Sequence, residues 1–183
     1  MTDWALEFRD IPTTISGRAD LREKMLHCLT LPISGKVTEG GTRLNQLRDV
    51  LTQLINGSID LRQSYLLVAQ AIPRDKSSHS ADNRVFATGW EERLIRTQLS
   101  RLYNQAVLEL LAASGATHCF VAHSSDEKQD SPCSIGLAGG THLIAPLLER
   151  LVSSYIEGRW SKELKIPEHP HCTHVISPAP PNL

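Results

Sequence analysis

At 183 residues, 40% hydrophobic and 21% charged, the chain is most economically one globular domain with a core of ordinary size. A net charge of −1 and a pI near 6.7 exclude a polyanion binder as a whole and leave room only for a local basic patch. There is no apolar run of the length a membrane span needs, and Asp3 and Glu7 interrupt any signal-like pattern at residues 1–8, so a soluble, cytoplasmically made protein with no membrane partner is expected.

Residues 1–18 read as irregular, punctuated by Ile11-Pro12 and Ser16-Gly17. Ala19–Thr30 suits a short helix that stops before Leu31-Pro32. Its His27 and Cys28 are possible ligands, although a buried pair near a helix end is the plainer reading. After a loop closed by Gly40-Gly41, Thr42 is a suitable N-cap. Leu44, Leu47, Leu51, Leu54 and Ile55 follow at helical spacing until Asn56-Gly57. The apolar run Tyr65–Ile72 suits a strand stopped by Pro73, residues 74–84 have the composition of an exposed, mobile loop, and Val85–Thr88 suits a short strand.

Gly89 introduces the longest helix, from Trp90 to about Ser114, with Gly115 as its cap. At 100° per residue, Ile95, Leu99, Leu102, Tyr103, Ala106 and Leu110 make a core face. Arg93, Thr97, Ser100, Arg101 and Asn104 cluster opposite. A solvated surface is the plain reading of that stripe. The functional reading is a docking interface of Arg93, Thr97, Arg101 and Asn104, because such side chains hydrogen-bond in ways a Lys/Glu solubility face does not.

Thr117–His123 alternates as a strand, with Cys119 and Val121 on one face and His118 and Phe120 on the other. His118 and His123 differ by an odd number of positions, so they cannot both be ligands from one strand face. A charged loop, Asp126–Pro132, leads to Cys133, and Gly136 and Gly139-Gly140 keep the next turn flexible without the pattern of a phosphate loop. Ile144–Glu157 reads as an amphipathic helix with Ile144, Leu147, Leu148, Leu151, Val152 and Tyr155 buried, and Trp160 to Pro167 connects it to the end of the chain.

That end, His169-Pro170-His171-Cys172-Thr173-His174, carries four ligand-type side chains in six residues. Four cysteines at irregular spacing form no secreted disulfide framework, and beside histidines they point to metal. Cys172 and His174 alternate, so in extended backbone both face one side. Pro170 favours a turn that brings His169 round, and Cys133 is the choice for the fourth ligand. The set Cys133, His169, Cys172 and His174 would hold zinc tetrahedrally with no position left for water, which is structural zinc. His118 and Asp130 are next in line should Cys133 lie elsewhere. The plain alternative is a group of exposed histidines near a flexible tail.

Three further chemistries fit parts of the chain. Cys133 with His142 or His123 would make a thiol nucleophile and base, but no oxyanion hole is identifiable. A catalytic zinc hydrolase would use Glu168 or Asp126 as base. An accessory nucleic-acid module would use Arg93, Arg96, Arg101, Arg159, Lys162 and Lys165 on the phosphate backbone of DNA, without aromatic platforms.

Three blocks in order give the chain a family resemblance. Ile95-Arg-Thr-Gln-Leu-Ser-Arg-Leu-Tyr-Asn-Gln105 resembles a family helix that opens Arg-Thr-Glu. Asp126-Glu-Lys-Gln-Asp-Ser-Pro-Cys133 with Leu137-Ala-Gly-Gly140 is similar to an Asp-Glu-Arg, Cys-Pro-x-Cys, Leu-x-Gly segment. Pro167-Glu-His-Pro-His-Cys-Thr-His174 is close to a terminal His-Pro-Asn-Cys-Arg-Cys or Cys-Arg-His. Together they resemble the phage head morphogenesis family, the minor head proteins similar to protein F of phage Mu, over roughly residues 85–178. Gln98 stands in place of the usual Glu, and Asp130 in place of the first Cys of the pair. The resemblance implies a structural virion protein associated with portal or head proteins, acting in head assembly or on packaged DNA, and the closed four-ligand zinc site would leave it without turnover of its own. It also implies a boundary: residues 1–84 without a recognised motif, a head-morphogenesis unit at 85–178, and a tail at 179–183. The fold expected is α+β, helices packed on a small sheet, with a C-terminal zinc-stapled segment.

Overall fold

The computed structural model describes residues 4–159 and 161–180; Trp160, the start of the expected connecting segment, and the last three residues of the tail lie outside them. The described residues form an α+β fold in which helices pack on a small antiparallel sheet. In chain order these are α1 (Ile11–Gly17), α2 (Ala19–Leu29), α3 (Arg43–Ile55), α4 (Leu61–Ala71), α5 (Trp90–Ala113), β1 (His118–Val121), α6 (Pro132–Leu137), β2 (Gly140–Leu143), α7 (Ile144–Tyr155) and β3 (Ile176–Pro178). None of these helices is long and apolar enough to cross a membrane.

The axis of the molecule is α5. Its 24 residues span about 36 Å at 1.5 Å per residue, and α2, α3, α4, α7 and β3 pack around it. The expected core face is buried at Ile95, Leu99, Leu102, Tyr103 and Ala106, with Leu110 packed at its edge. One continuous hydrophobic cluster runs from Ala5 to Ile176.

Because neighbours surround α5 on nearly every side, its polar stripe is buried too, and this corrects the docking-interface reading. Arg101 and Asn104 are fully buried, and Gln98, Ser100 and Gln105 lie with them inside. The Arg101 guanidinium donates to Gln98 Oε1 at 3.0 Å and to Gln105 Oε1 at 3.1 Å. Asn104 Nδ2 donates to the Ser100 carbonyl, and its Oδ1 accepts the Ile176 amide of β3 at 2.8 Å. Angular clustering separates apolar from polar residues; it does not count how many neighbours a helix will have. Only Arg93 and Thr97 of the proposed interface are half-buried, and Arg93 donates to the Ala87 carbonyl at 3.0 Å.

The run Tyr65–Ile72 is not a strand but most of α4. Asp60 and Gln63 form a reciprocal capping box, each side chain 2.8 Å from the other's backbone amide. Ser64, Val68 and Ile72 are buried at intervals of four while Leu66 between them faces out, which fits a helix and not a strand, whose period of two would put Leu66 on the buried face. Ile11–Gly17, expected to be irregular, is helical, with Pro12 tolerated in its first turn. Val85–Thr88 is a turn that buries Phe86 edge-on against Trp90, with ring centroids 5.1 Å apart. The expected mobile loop is tied down: Arg74 donates to the Ser80 and Phe86 carbonyls and to Asn83 Oδ1.

In the sheet β1 is central, with Val121 opposite Gly140 of β2 on one side and Ile176 of β3 on the other. The glycine turn expected after Cys133 is in fact α6 followed by β2, which runs directly into α7. The segment returning from α7 passes close over α6: an added Cβ at Gly136 would collide with Leu164 Cδ1. This close approach brings residues 169–174 down beside Cys133.

Candidate metal centre

Each member of the site is placed by a separate piece of chain. Cys133 is the second residue of α6, whose first turn is set by Pro132 and capped by Ser131, its Oγ accepting from the Ser134 amide at 3.2 Å. The run 169–174 opens with a turn closed by the Cys172 amide on the His169 carbonyl at 3.0 Å. Cys172 and His174 then face the same side, as the i, i+2 spacing requires, with Sγ 3.7 Å from Nδ1. Glu127 enters from the loop after β1.

Ligand atoms of Glu127, Cys133, Cys172 and His174 all lie within 4.8 Å of one another, and together they could hold a metal ion. Bond lengths of about 2.0–2.3 Å around a tetrahedral zinc imply donor–donor edges of about 3.3–3.8 Å, so closing the group on a metal needs only small side-chain adjustments. Cys133, Cys172 and His174 are buried to within 1% of complete exclusion from solvent.

Three of the four ligands expected from the sequence therefore converge, and Glu127 joins them. His169 sits at the edge: its Nε2 is 3.4 Å from Cys133 Sγ and 3.6 Å from Glu127 Oε1, and its side chain is 39% exposed. It is not part of the mutually close group. Glu127 carries no spacing signal in the sequence, being an acidic residue in a charged loop; its place in the Asp126-Glu127-Lys128 block is the one hint there. His118 and Asp130 are exposed and do not belong to the group.

The surroundings hold the donors in position. Glu127 Oε2 accepts from the Thr173 amide at 3.3 Å and lies 3.4 Å from Thr173 Oγ1. His174 Nε2 is 3.4 Å from Ser134 Oγ. The N-terminal segment clasps the same strand of chain: Glu7 bridges to His174, and the Phe8 amide donates to the Thr173 carbonyl at 2.8 Å. The Glu7 carboxylate accepts from Ser124 Oγ at 2.9 Å and from the Ser125 amide at 3.1 Å.

Burial pushes the Cys172 thiol up to about 12 and lowers His174 below the usual histidine range. Both groups are thus neutral before a cation arrives, and a divalent ion would reverse the balance by taking the thiolate. Cys28 and Cys119 are raised in the same way, to about 12 and about 11, but are not members of the donor group, so they read as core thiols.

The alternative chemistries lose residues. His142 Nε2 lies 2.7 Å from the Leu137 carbonyl, and the histidine beside Cys133 is His169, not His142 or His123. Glu168 Oε2 accepts from the Lys165 amide and lies 3.6 Å from its Nζ, while Asp126 pairs with Arg9. Of the basic residues, Arg101 is in the core, Arg159 is paired with Glu157, and Arg96 stacks its guanidinium 4.4 Å from the centre of the Phe8 ring. A cavity of about 460 Å³ beside Ile15 and Leu54 and another of about 580 Å³ beside Gly40 and Lys76 are lined by no member of the donor group.

Comparison of the chain with protein-family models, with curated proteins and with solved structures finds no match.

Proposed function

We propose that this protein is a zinc-stapled structural component of a phage or prophage head, working through protein contacts with portal or head proteins rather than by catalysis. The observation that carries the structural-zinc part is the convergence of the buried Cys133, Cys172 and His174 with the partly buried Glu127, brought together from three stretches of chain. Zinc suits two thiolates and an imidazole better than magnesium or calcium does. Four protein donors leave no coordination position for an activated water. The phage-head part rests on the three motif blocks, the last of which supplies Cys172 and His174. With Arg101 and Asn104 in the core, association falls to outward side chains such as Ile135, 75% exposed on α6.

Two measurements test this reading. Native mass spectrometry of the purified protein should find one zinc per chain. Gradient fractionation of a phage lysate should place the protein with heads or portals. Zinc-dependent hydrolysis that disappears in Glu168→Gln would favour the metalloenzyme, and a wholly unassociated protein would remove the head assignment while leaving the zinc domain.

A further inference from the structure

The site offers five donors where a tetrahedral ion uses four. We infer that His169 is the entry ligand of the centre, capturing the metal from solvent and passing it to a resident set of Glu127, Cys133, Cys172 and His174. This rests on the reading of the cluster as a zinc site.

Two overlapping donor groups carry the inference. The outer one is Glu127, Cys133 and His169: His169 Nε2 lies 3.4 Å from Cys133 Sγ and 3.6 Å from Glu127 Oε1, both distances within the tetrahedral edge range. The inner one is the mutually close group of Glu127, Cys133, Cys172 and His174. They share the Glu127–Cys133 edge, so a metal held by the outer group reaches the inner one by exchanging His169 for Cys172 and His174 while two ligands stay bound.

Exposure sets the direction. The His169 side chain is 39% exposed and that of Glu127 is 11%, whereas Cys133, which both groups share, is 0% exposed and Cys172 and His174 are each 1% exposed. A hydrated ion therefore meets His169 before it meets the inner donors. Glu127 is organised to be resident, because Thr173 holds its Oε2 through amide and hydroxyl while Oε1 is turned towards His169 and the shared edge. Exchange of histidine for a thiolate and a second imidazole also moves the ion to softer donors.

The experiment is Co²⁺ loading of the metal-free full chain, followed by stopped-flow absorbance of the thiolate-to-cobalt band, for wild type, His169→Ala, Glu127→Gln and Cys172→Ser. Circular dichroism of each variant establishes that it is folded. His169→Ala should reach the wild-type final spectrum and affinity but load severalfold more slowly, and lose metal to a chelator more slowly as well. Glu127→Gln should weaken equilibrium affinity by at least the roughly 10–100-fold that loss of an outer-shell partner costs. A His169→Ala variant that loads at the wild-type rate, or that loses affinity as Cys172→Ser does while Glu127→Gln keeps it, overturns the assignment. Should Glu127→Gln fail to fold, Glu127→Asp replaces it, with a weakened affinity expected and an unchanged one counting against residence. Failure of wild type to bind Co²⁺ at all would instead remove the zinc reading itself.

Discussion

Cys172 and Asn104 show how much a single buried polar group can decide. The Cys172 thiol, raised to about 12 by burial, becomes a useful donor only when a metal takes its proton. Cys172→Ser should therefore abolish stoichiometric zinc and lower stability by about several kcal/mol, the scale of a lost structural metal. Thermal melts of wild type in chelator should approach those of the variant in zinc, and equal melts with and without zinc in the wild type would contradict this. Asn104 works without a metal. Its Oδ1 takes the Ile176 amide and its Nδ2 donates to Ser100, so it fastens the edge strand β3 to the side of α5. Asn104→Ala leaves that amide unpaired in the core, at a cost of about 1–3 kcal/mol. Hydrogen exchange should accelerate at Ile176 first; unchanged protection there would show that the bond carries little.

At the level of elements, α5 is a central post with a polar seam. Arg101 is fully buried, its guanidinium bonded to the neutral acceptors Gln98 and Gln105, and burial lowers it to about 10. Arg101→Ala should cost about 2–4 kcal/mol, since it opens a cavity and strands two amide acceptors, partly offset by removal of a buried charge. Arg101→Met should cost less, because the stem volume stays filled. Arg93→Ala should change stability by less than about 1 kcal/mol. Denaturant titrations of the three variants decide the matter: an Arg101→Ala variant as stable as wild type would return this stripe to the surface. In α4, Asp60→Ala removes a reciprocal cap and should cost about 1 kcal/mol, read in the same titration.

For the whole molecule the donor group lies at a knot between the two ends of the described chain. Glu7 and Phe8 pair with Thr173 and His174, Ser124 joins Glu7 to Thr173, and Glu127 binds Thr173 from the other side. Burial by itself would raise the Glu7 carboxyl, but hydrogen bonds from Ser124 and Ser125 and the nearby Arg9 outweigh it and leave it below the ordinary value of 4.5. A group depressed in the folded state contributes stability above its unfolded pKa and loses it as pH falls through the folded one. Glu7→Gln should therefore melt below wild type at neutral pH. The gap should close on acidification, beginning near pH 4.5 and finishing below the folded pKa. A gap that stays constant down to strong acid would mean that the carboxylate charge does not hold the clasp.

The helices at Ala19–Leu29, Arg43–Ile55, Trp90–Ala113 and Ile144–Tyr155 were legible because periodicity, terminal glycines or asparagines and, for the first, the stop at Leu31-Pro32 are properties of neighbouring residues. The pairing of Cys172 with His174 was legible for the same reason: i, i+2 in extended backbone fixes a shared face. The α4 segment was misread because a short apolar run fits either a strand or a helix, and its Asp60…Gln63 capping box lies upstream of the run. What no local pattern contains is the number of neighbours an element will acquire. The burial of Arg101 and Asn104 followed from α5 being surrounded, and β2 and β3 exist only because β1 lies between them. Tertiary structure also chose Glu127 over His169 for the mutually close donor group. A carboxylate becomes a candidate ligand by where its loop is carried, and that is settled by packing between segments far apart in the chain.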